Sequence, residues 1–126
     1  LYVKLGIEIC EDAWTPVSPG RLLAMAGAEV ILNLSASNEV IGKAAYRHKL
    51  IGSVSSDCLC GYVYVSAGMY ESTSDLVFSG HNLMYENGKL LGEPTSHLPT
   101  VSVISHSESM RRWCAILRSW TKGMCS

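Results

Sequence analysis

Residues 2–14, YVKLGIEICEDAW, decide the fold of this chain, because a strand pattern there ends abruptly in polar residues. Apolar residues occupy every odd position from Val3 to Ile9, which is the period expected of a strand with one buried face. The pattern stops at Cys10, which two acidic residues follow. The end of a buried strand is where α/β folds tend to place their chemistry. Position alone favours an inert cysteine, so the surrounding sequence has to decide its role.

The sequence after Cys10 alternates helix and strand signals. Ser18 followed by Pro19 predicts a helix start, and Gly27 predicts the end of that short helix. Strands are predicted over residues 29–34 and 62–65, with a longer helix over residues 42–58 between them and Gly61 as its breaker. This order predicts an α/β fold whose sheet is largely parallel or mixed.

The pattern changes beyond Gly68, where short strands are predicted at residues 75–78 and 82–85. Asn87-Gly88 predicts a hairpin turn, because these residues accept the positive φ angles of a type I′ turn. Further on, Ser107 is predicted to cap an amphipathic helix that continues to about Trp120.

Composition narrows the function classes. A chain of 126 residues with 48% hydrophobic residues allows one domain, and its net charge of −1 gives no reason to expect a nucleic-acid or membrane partner. No apolar run approaches the roughly 20 residues of a membrane span. The odd cysteine count and scattered histidines fit neither a disulfide framework nor a zinc site, so we expect a reducing, cytoplasmic location and buried Cys58 and Cys60.

Three motifs, found in order along the chain, favour a catalytic role for Cys10 over an inert one. Residues 6–14, GIEICEDAW, resemble the nucleophile motif of the nitrilase superfamily, a strand that ends in I-C-x-D-x-x-[WF]-P. Residues 33–47, which begin NLSASNE and contain Gly42-Lys43 and Tyr46-Arg47, resemble a block of the glutamine-dependent NAD synthetases. Residues 71–81, ESTSDLVFSGH, resemble a third segment of that family. A single motif is weak, whereas three in order at compatible spacings are specific.

The resemblance implies a four-layer α-β-β-α sandwich in the complete domain and a Glu-Lys-Cys catalytic triad. In this sequence the family's cysteine corresponds to Cys10, while its general-base glutamate and its lysine belong to regions before Leu1. The chain starts inside a predicted strand, so we expect it to be part of a longer protein. The resemblance covers residues 1–94 as the C-terminal part of the glutaminase domain, and residues 95–126 form a divergent tail.

Three more site residues follow from the resemblance. Glu11 is similar to the carboxylate that recognises the α-amino group of glutamine, and Ser37 and Lys43 are similar to the positions that contact its α-amino-acid end. Without the motif, Glu11 would be read as a favourable charge near a helix N-terminus, Ser37 as a turn hydroxyl and Lys43 as a solvated charge. Glu8 shares a strand face with Cys10 and is read as structural, as are Asp12 and Trp14, which shape the turn.

The implied function is hydrolysis of the glutamine amide, which supplies ammonia to an ATP-dependent synthetase domain that this chain lacks. No metal and no cofactor are expected in this chain, whereas ATP and Mg²⁺ belong to the missing domain. Glutamine, that domain and a homo-oligomer are the expected partners. Two alternatives stay open: a nitrilase-type amidase for another small amide, and a catalytically incomplete piece that acts by binding alone.

Overall fold

The computed structural model describes residues 3–93, which form a five-stranded sheet with helices. The strands and helices, in chain order, are β1 (Leu5–Ile9), α1 (Pro19–Met25), β2 (Val30–Ser35), α2 (Lys43–Cys58), β3 (Gly61–Ser66), β4 (Leu83–Glu86) and β5 (Lys89–Gly92). Two 3-10 helices accompany them, at Cys10–Trp14 and Met69–Glu71. The predicted tail helix and the rest of residues 95–126 lie outside the described residues.

The sheet is mixed, as the order of helix and strand signals predicts. Its strand order is β1-β2-β3-β4-β5, with parallel pairing between the first three strands and antiparallel pairing between the last three. The register places Glu8 beside Asn33, and Asn33 beside Tyr64. Because parallel strands share a direction, the carboxyl ends of β1, β2 and β3 meet at one edge of the sheet. Cys10 follows β1 at this edge.

Both helices pack on one face of the sheet and form the core with it. Ile31, Ile51, Tyr62 and Leu83 are fully buried there. The sheet and these helices correspond to one β layer and one α layer of the predicted α-β-β-α arrangement. The apolar positions of β1 lie on the opposite face, where the side chains of residues 5, 7 and 9 are more than half exposed within the described residues.

Helix ends follow the sequence signals with one exception. The Ser18 hydroxyl accepts a hydrogen bond from the Arg21 backbone N–H at 3.2 Å, so it caps α1 as predicted. Helix α2 ends at Cys58, and the residue that caps it, Leu59, has a φ of +50°. Gly61 begins β3 instead of breaking the helix.

The Asn87-Gly88 turn is confirmed, with φ angles of +48° and +79° that join β4 to β5. The strand predicted at residues 75–78 is absent. Instead the Thr73 side chain accepts a hydrogen bond from the Leu76 N–H at 3.1 Å, and the Thr73 N–H donates to the Leu76 carbonyl at 2.8 Å. This local turn takes up backbone groups that a strand would pair. No helix in residues 3–93 has the length and apolar character to cross a membrane.

Candidate active site

Cys10 lies in the sharp turn where β1 ends and is the first residue of the first 3-10 helix, with a φ of +47°. A non-glycine residue with positive φ is strained, and such strain is concentrated at functional sites. Two side chains hold the turn: the Asp12 carboxylate accepts a hydrogen bond from the Ile9 N–H at 2.8 Å, and the Asn33 amide donates to the Cys10 carbonyl at 3.4 Å. The structural role predicted for Asp12 is confirmed.

Glu8 lies under this turn and is 2% exposed. Its carboxylate accepts hydrogen bonds from the Gly20 N–H at 2.6 Å, from the Asn33 amide at 3.4 Å and from the Tyr62 hydroxyl. Burial and the hydrogen bond to Glu8 raise the pKa of Tyr62, which therefore stays a neutral donor. A side chain at position 20 would collide with this carboxylate, since a Cβ there would lie 2.6 Å from its oxygen. Glu8 thus joins α1, β1, β2 and β3.

We predict that Glu8→Gln destabilises the protein by about 2 kcal/mol, because an amide NH₂ would face three hydrogen-bond donors and leave one buried donor unsatisfied. The urea midpoint of the complete protein measures this effect. Tyr62→Phe is the control, with a smaller loss, because it removes one donor and keeps the carboxylate. A Glu8→Gln protein with unchanged stability and no activity would instead identify Glu8 as a catalytic base.

The predicted site residues come together at one cleft of about 440 Å³ beside the Cys10 turn. The cleft is lined by Cys10, Glu11, Trp14, Thr15, Ala36, Ser37, Asn38 and Lys43. Cys10 also lines a second cleft of about 530 Å³, formed with Ile9, Leu34, Ser35, Ala36, Val65, Ser66, Ala67, Gly68 and Glu71. The cysteine therefore lies between a charged cleft on one side and a more apolar one on the other.

Lys43 is the first residue of α2 and is held in place at the cleft. Its ammonium donates to the Asn38 side-chain oxygen at 2.5 Å and lies 5.7 Å from the centroid of the Trp14 ring. Trp14 in turn stacks on Tyr46, with ring centroids 5.3 Å apart and planes at 5°. These contacts distinguish Lys43 from a solvated charge. Sequence reasoning missed Asn38, although it belongs to a quoted motif.

Ser37 and Glu11 differ in their surroundings. Ser37 is 6% exposed, and its hydroxyl accepts a hydrogen bond from Arg47 at 3.4 Å, so this hydroxyl is buried and has a partner. Glu11 is exposed at the cleft, immediately after Cys10. Ser37, Asn38 and Lys43 form a polar wall, whereas Glu11 belongs to the turn of the cysteine. The cleft therefore offers a carboxylate and an ammonium from different segments.

The cysteines differ in environment. Among the described residues, no side chain makes a hydrogen bond to the Cys10 sulfur. The carboxylate of Glu8, on the preceding strand β1, is occupied by its three donors. Cys60 is buried as predicted, and burial together with the neighbouring Cys58 raises its pKa to about 11. Cys58 is partly exposed, so its predicted burial is incomplete.

Two of the scattered histidines meet in the fold, which their sequence spacing did not indicate. The Nε2 atoms of His48 and His81 lie 3.2 and 2.9 Å from one Glu93 oxygen, a ligand set that could suit a metal ion. However, the Arg47 guanidinium lies 3.2 Å from Nδ1 of His81. Because a guanidinium only donates, Nδ1 must accept, and the ring proton belongs on Nε2, the atom that a metal would need.

Burial and the positive charge of Arg47 keep the pKa of His81 below its usual range, although the hydrogen bond to Glu93 acts in the opposite direction. A neutral His81 that donates to Glu93 and accepts from Arg47 satisfies all of these contacts without an ion. We therefore read the group as a hydrogen-bonded network.

Comparison with known proteins gives consistent matches, although no family model matches the chain. Over 93 residues the chain is 49% identical to a glutamine-dependent NAD(+) synthetase of Mycobacterium leprae, a match that covers 74% of this chain and 14% of that protein. The solved structure of a glutamine-dependent NAD(+) synthetase from Cytophaga hutchinsonii matches with a TM-score of 0.60 and 32% identity, over 74% of this chain and 15% of that one.

The Saccharomyces cerevisiae protein Nit3, a member of branch 10 of the nitrilase superfamily, matches with a TM-score of 0.61 and 28% identity, over 71% of this chain and 32% of its own. The chain spans about 14% of the length of this Mycobacterium leprae relative and 13% of that of the Mycobacterium tuberculosis relatives. The sequence comparison and the Cytophaga structure thus both give glutamine-dependent NAD(+) synthetases, and Nit3 gives the nitrilase superfamily.

Proposed function

Because the chain belongs to the family of the glutamine-dependent NAD(+) synthetases and has the fold of the nitrilase superfamily, we propose that it supplies the nucleophile and the polar wall of a glutamine-hydrolysing site. One observation carries the proposal: Cys10 and Glu11 of the turn after β1 line a single cleft with Ser37 and Lys43 of the β2–α2 region, at the carboxyl edge of the parallel strands. That edge is where α/β folds bind their substrates.

In the proposed reaction the Cys10 thiolate attacks the side-chain amide carbon of glutamine and forms a tetrahedral intermediate. The backbone N–H groups that follow Cys10 and a lysine ammonium stabilise its oxyanion. The C–N bond then breaks and ammonia leaves, so that a thioester joins Cys10 to the glutamyl group. Water attacks this thioester, releases glutamate and restores the thiol.

The proton transfers need groups that residues 3–93 do not offer to the Cys10 sulfur. The family resemblance assigns them to a glutamate and a lysine before Leu1. The glutamate would accept the thiol proton, pass it to the leaving ammonia and then activate water. We expect both groups to reach Cys10 from the side of the larger cleft, where Ile9, Leu34 and Val65 leave an open apolar surface.

The charges of the smaller cleft favour glutamine over a simple aliphatic amide. The α-carbon of glutamine carries an ammonium and a carboxylate, and the cleft presents the Glu11 carboxylate and the Lys43 ammonium. A simple aliphatic amide has no group that would pair with either charge. The released ammonia would pass to a synthetase domain that uses ATP and Mg²⁺, in a cytoplasmic homo-oligomer of the complete enzyme.

We predict that Glu11→Gln and Lys43→Met each raise the KM for glutamine by roughly 10- to 100-fold in the complete enzyme, because each removes a charge-assisted contact with the substrate. The complete enzyme here means a synthetase that carries this segment together with the regions present in its relatives. Steady-state glutaminase assays measure the effect.

Lys49→Met is the matched control, since Lys49 is an exposed lysine of the same helix that does not line the cleft. Its KM should equal that of the unmodified enzyme. If Lys43→Met behaved like Lys49→Met, the assignment of the cleft to glutamine would be wrong. If acetamide were hydrolysed as efficiently as glutamine, the enzyme would be an amidase for small amides.

A further inference from the structure

Arg47 is a fully buried arginine on α2 that the proposed chemistry does not use. Its Nη2 atom donates to the backbone carbonyls of Ser37 and Asn38 at 3.4 and 3.1 Å and to the Ser37 hydroxyl at 3.4 Å. Its Nη1 atom donates to the Glu39 carboxylate at 2.7 Å. One guanidinium therefore holds three consecutive residues of the connection between β2 and α2.

This connection, residues 36–42, has neither strand nor helix structure, so regular ladder hydrogen bonds do not fix it. Its backbone is anchored to the rest of the fold at Glu39, whose N–H donates to the Val77 carbonyl at 2.7 Å. Ser37 and Asn38 belong to the polar wall, and Asn38 also holds the Lys43 ammonium. Any loosening of their backbone would move the wall relative to Cys10.

The Arg47 guanidinium is itself held in place by residues that do not line the cleft. The Glu39 carboxylate that pairs with Arg47 also accepts a hydrogen bond from the Ser79 hydroxyl at 2.6 Å, and Nη1 of Arg47 lies 3.2 Å from Nδ1 of His81. A buried charge is costly unless it is paired and hydrogen-bonded, and these partners supply that pairing. The orientation of the planar fork is thus fixed by groups outside the cleft.

We infer that Arg47 is a positioning residue for glutamine binding: it sets the place of Ser37 and Asn38 and, through Asn38, that of the Lys43 ammonium, without touching the substrate. The inference rests on the proposed function, because it assigns the polar wall to glutamine. Since Arg47 is fully buried, its influence on the substrate passes through these residues. A displacement of about 1 Å in such a wall weakens its contacts with the substrate and so raises the KM.

The test is Arg47→Lys in the complete enzyme. Lysine keeps the buried positive charge opposite Glu39, but one ammonium cannot reproduce the fork that reaches the carboxylate and two carbonyls together. We expect the KM for glutamine to rise about tenfold, which corresponds to roughly 1.4 kcal/mol, with kcat changed by less than about threefold. Ammonia-dependent synthesis should be unchanged.

Arg21→Lys is the matched control, because Arg21 forms an exposed ion pair with Asp57 at 2.9 Å on α1 and α2, away from the cleft. It should leave both KM and kcat unchanged. If Arg47→Lys does not fold, Glu39→Gln is the second test. It removes the negative charge that pairs with the guanidinium but keeps a hydrogen-bond acceptor. We expect the KM for glutamine to rise about threefold.

An unchanged KM in the folded Arg47→Lys enzyme, or in Glu39→Gln where Arg47→Lys does not fold, would overturn the inference. A rise in KM accompanied by equal losses of kcat and of ammonia-dependent synthesis would also overturn it, because such a pattern indicates a general structural role. Failure of the proposed function is recognised separately, because the unmodified complete enzyme would then show no glutamine-dependent activity at all.

Discussion

Cys10→Ala is expected to reduce glutamine-dependent NAD⁺ synthesis by the complete enzyme by roughly 10³-fold or more, while synthesis from free ammonia stays nearly unchanged. The reason is that the sulfur forms the covalent intermediate, and the alanine side chain has no nucleophilic atom in its place. Ammonia supplied in solution bypasses this step, because the ATP-dependent chemistry is proposed to lie in another domain. Parallel assays with glutamine and with ammonium chloride measure both rates.

Cys58→Ala serves as the control for loss of a partly exposed thiol outside the cleft, and it should change neither rate. Two results would contradict the prediction. Full glutamine-dependent activity in Cys10→Ala would exclude the cysteine as nucleophile. Loss of ammonia-dependent synthesis in a folded Cys10→Ala enzyme would mean that the two reactions are not divided between domains as proposed.

The 126-residue chain alone is expected to hydrolyse glutamine at no measurable rate. The Cys10 thiol has no hydrogen-bonding side chain among residues 3–93, so no described group is placed to accept its proton, and only the thiolate is the nucleophile. A general base contributes about 10²–10⁴-fold and one oxyanion donor about 10²–10³-fold, so absence of both costs roughly 10⁴-fold or more.

Glutamate release by the purified chain, compared with its Cys10→Ala variant, measures this directly. The apolar face of β1, exposed at residues 5, 7 and 9, also predicts self-association of the isolated chain, so its state should be checked by light scattering. Turnover that disappears in the Cys10→Ala variant would show that these residues contain their own base and cation. Glu8 and Lys43 would then be the first groups to substitute.

Local signals in the sequence predicted much of the fold correctly. Ser18-Pro19 and Asn87-Gly88 act through hydrogen bonds and φ angles within a few residues, so neighbouring sequence suffices to predict them. The strand predicted at residues 75–78 failed because the Thr73 side chain offered the backbone an alternative turn. The sequence correctly predicted that the apolar residues of β1 share one face of the strand, but it also predicted that this face is buried. In the structure the helices cover the opposite face, which carries Glu8.

The candidate site was predictable where it depends on strand ends and motifs. Cys10 and Ser37 meet because parallel strands bring their carboxyl ends to one edge. The role of Arg47 was not predictable, although the residue belongs to a recognised motif, because its partners Glu39 and His81 are brought to it by the turn before α2 and by the segment before β4. Such long-range pairing leaves no periodic signal in the sequence.

The most direct test of Cys10 as the nucleophile of a glutamine site is to map a covalent adduct. A diazoketone analogue of glutamine should label the complete enzyme at Cys10, and excess glutamine should protect it. Mass spectrometry should find Cys60 unlabelled, because burial raises its pKa to about 11. An adduct confined to Cys58 or Cys60, or labelling of Cys10 that glutamine does not slow, would contradict the account.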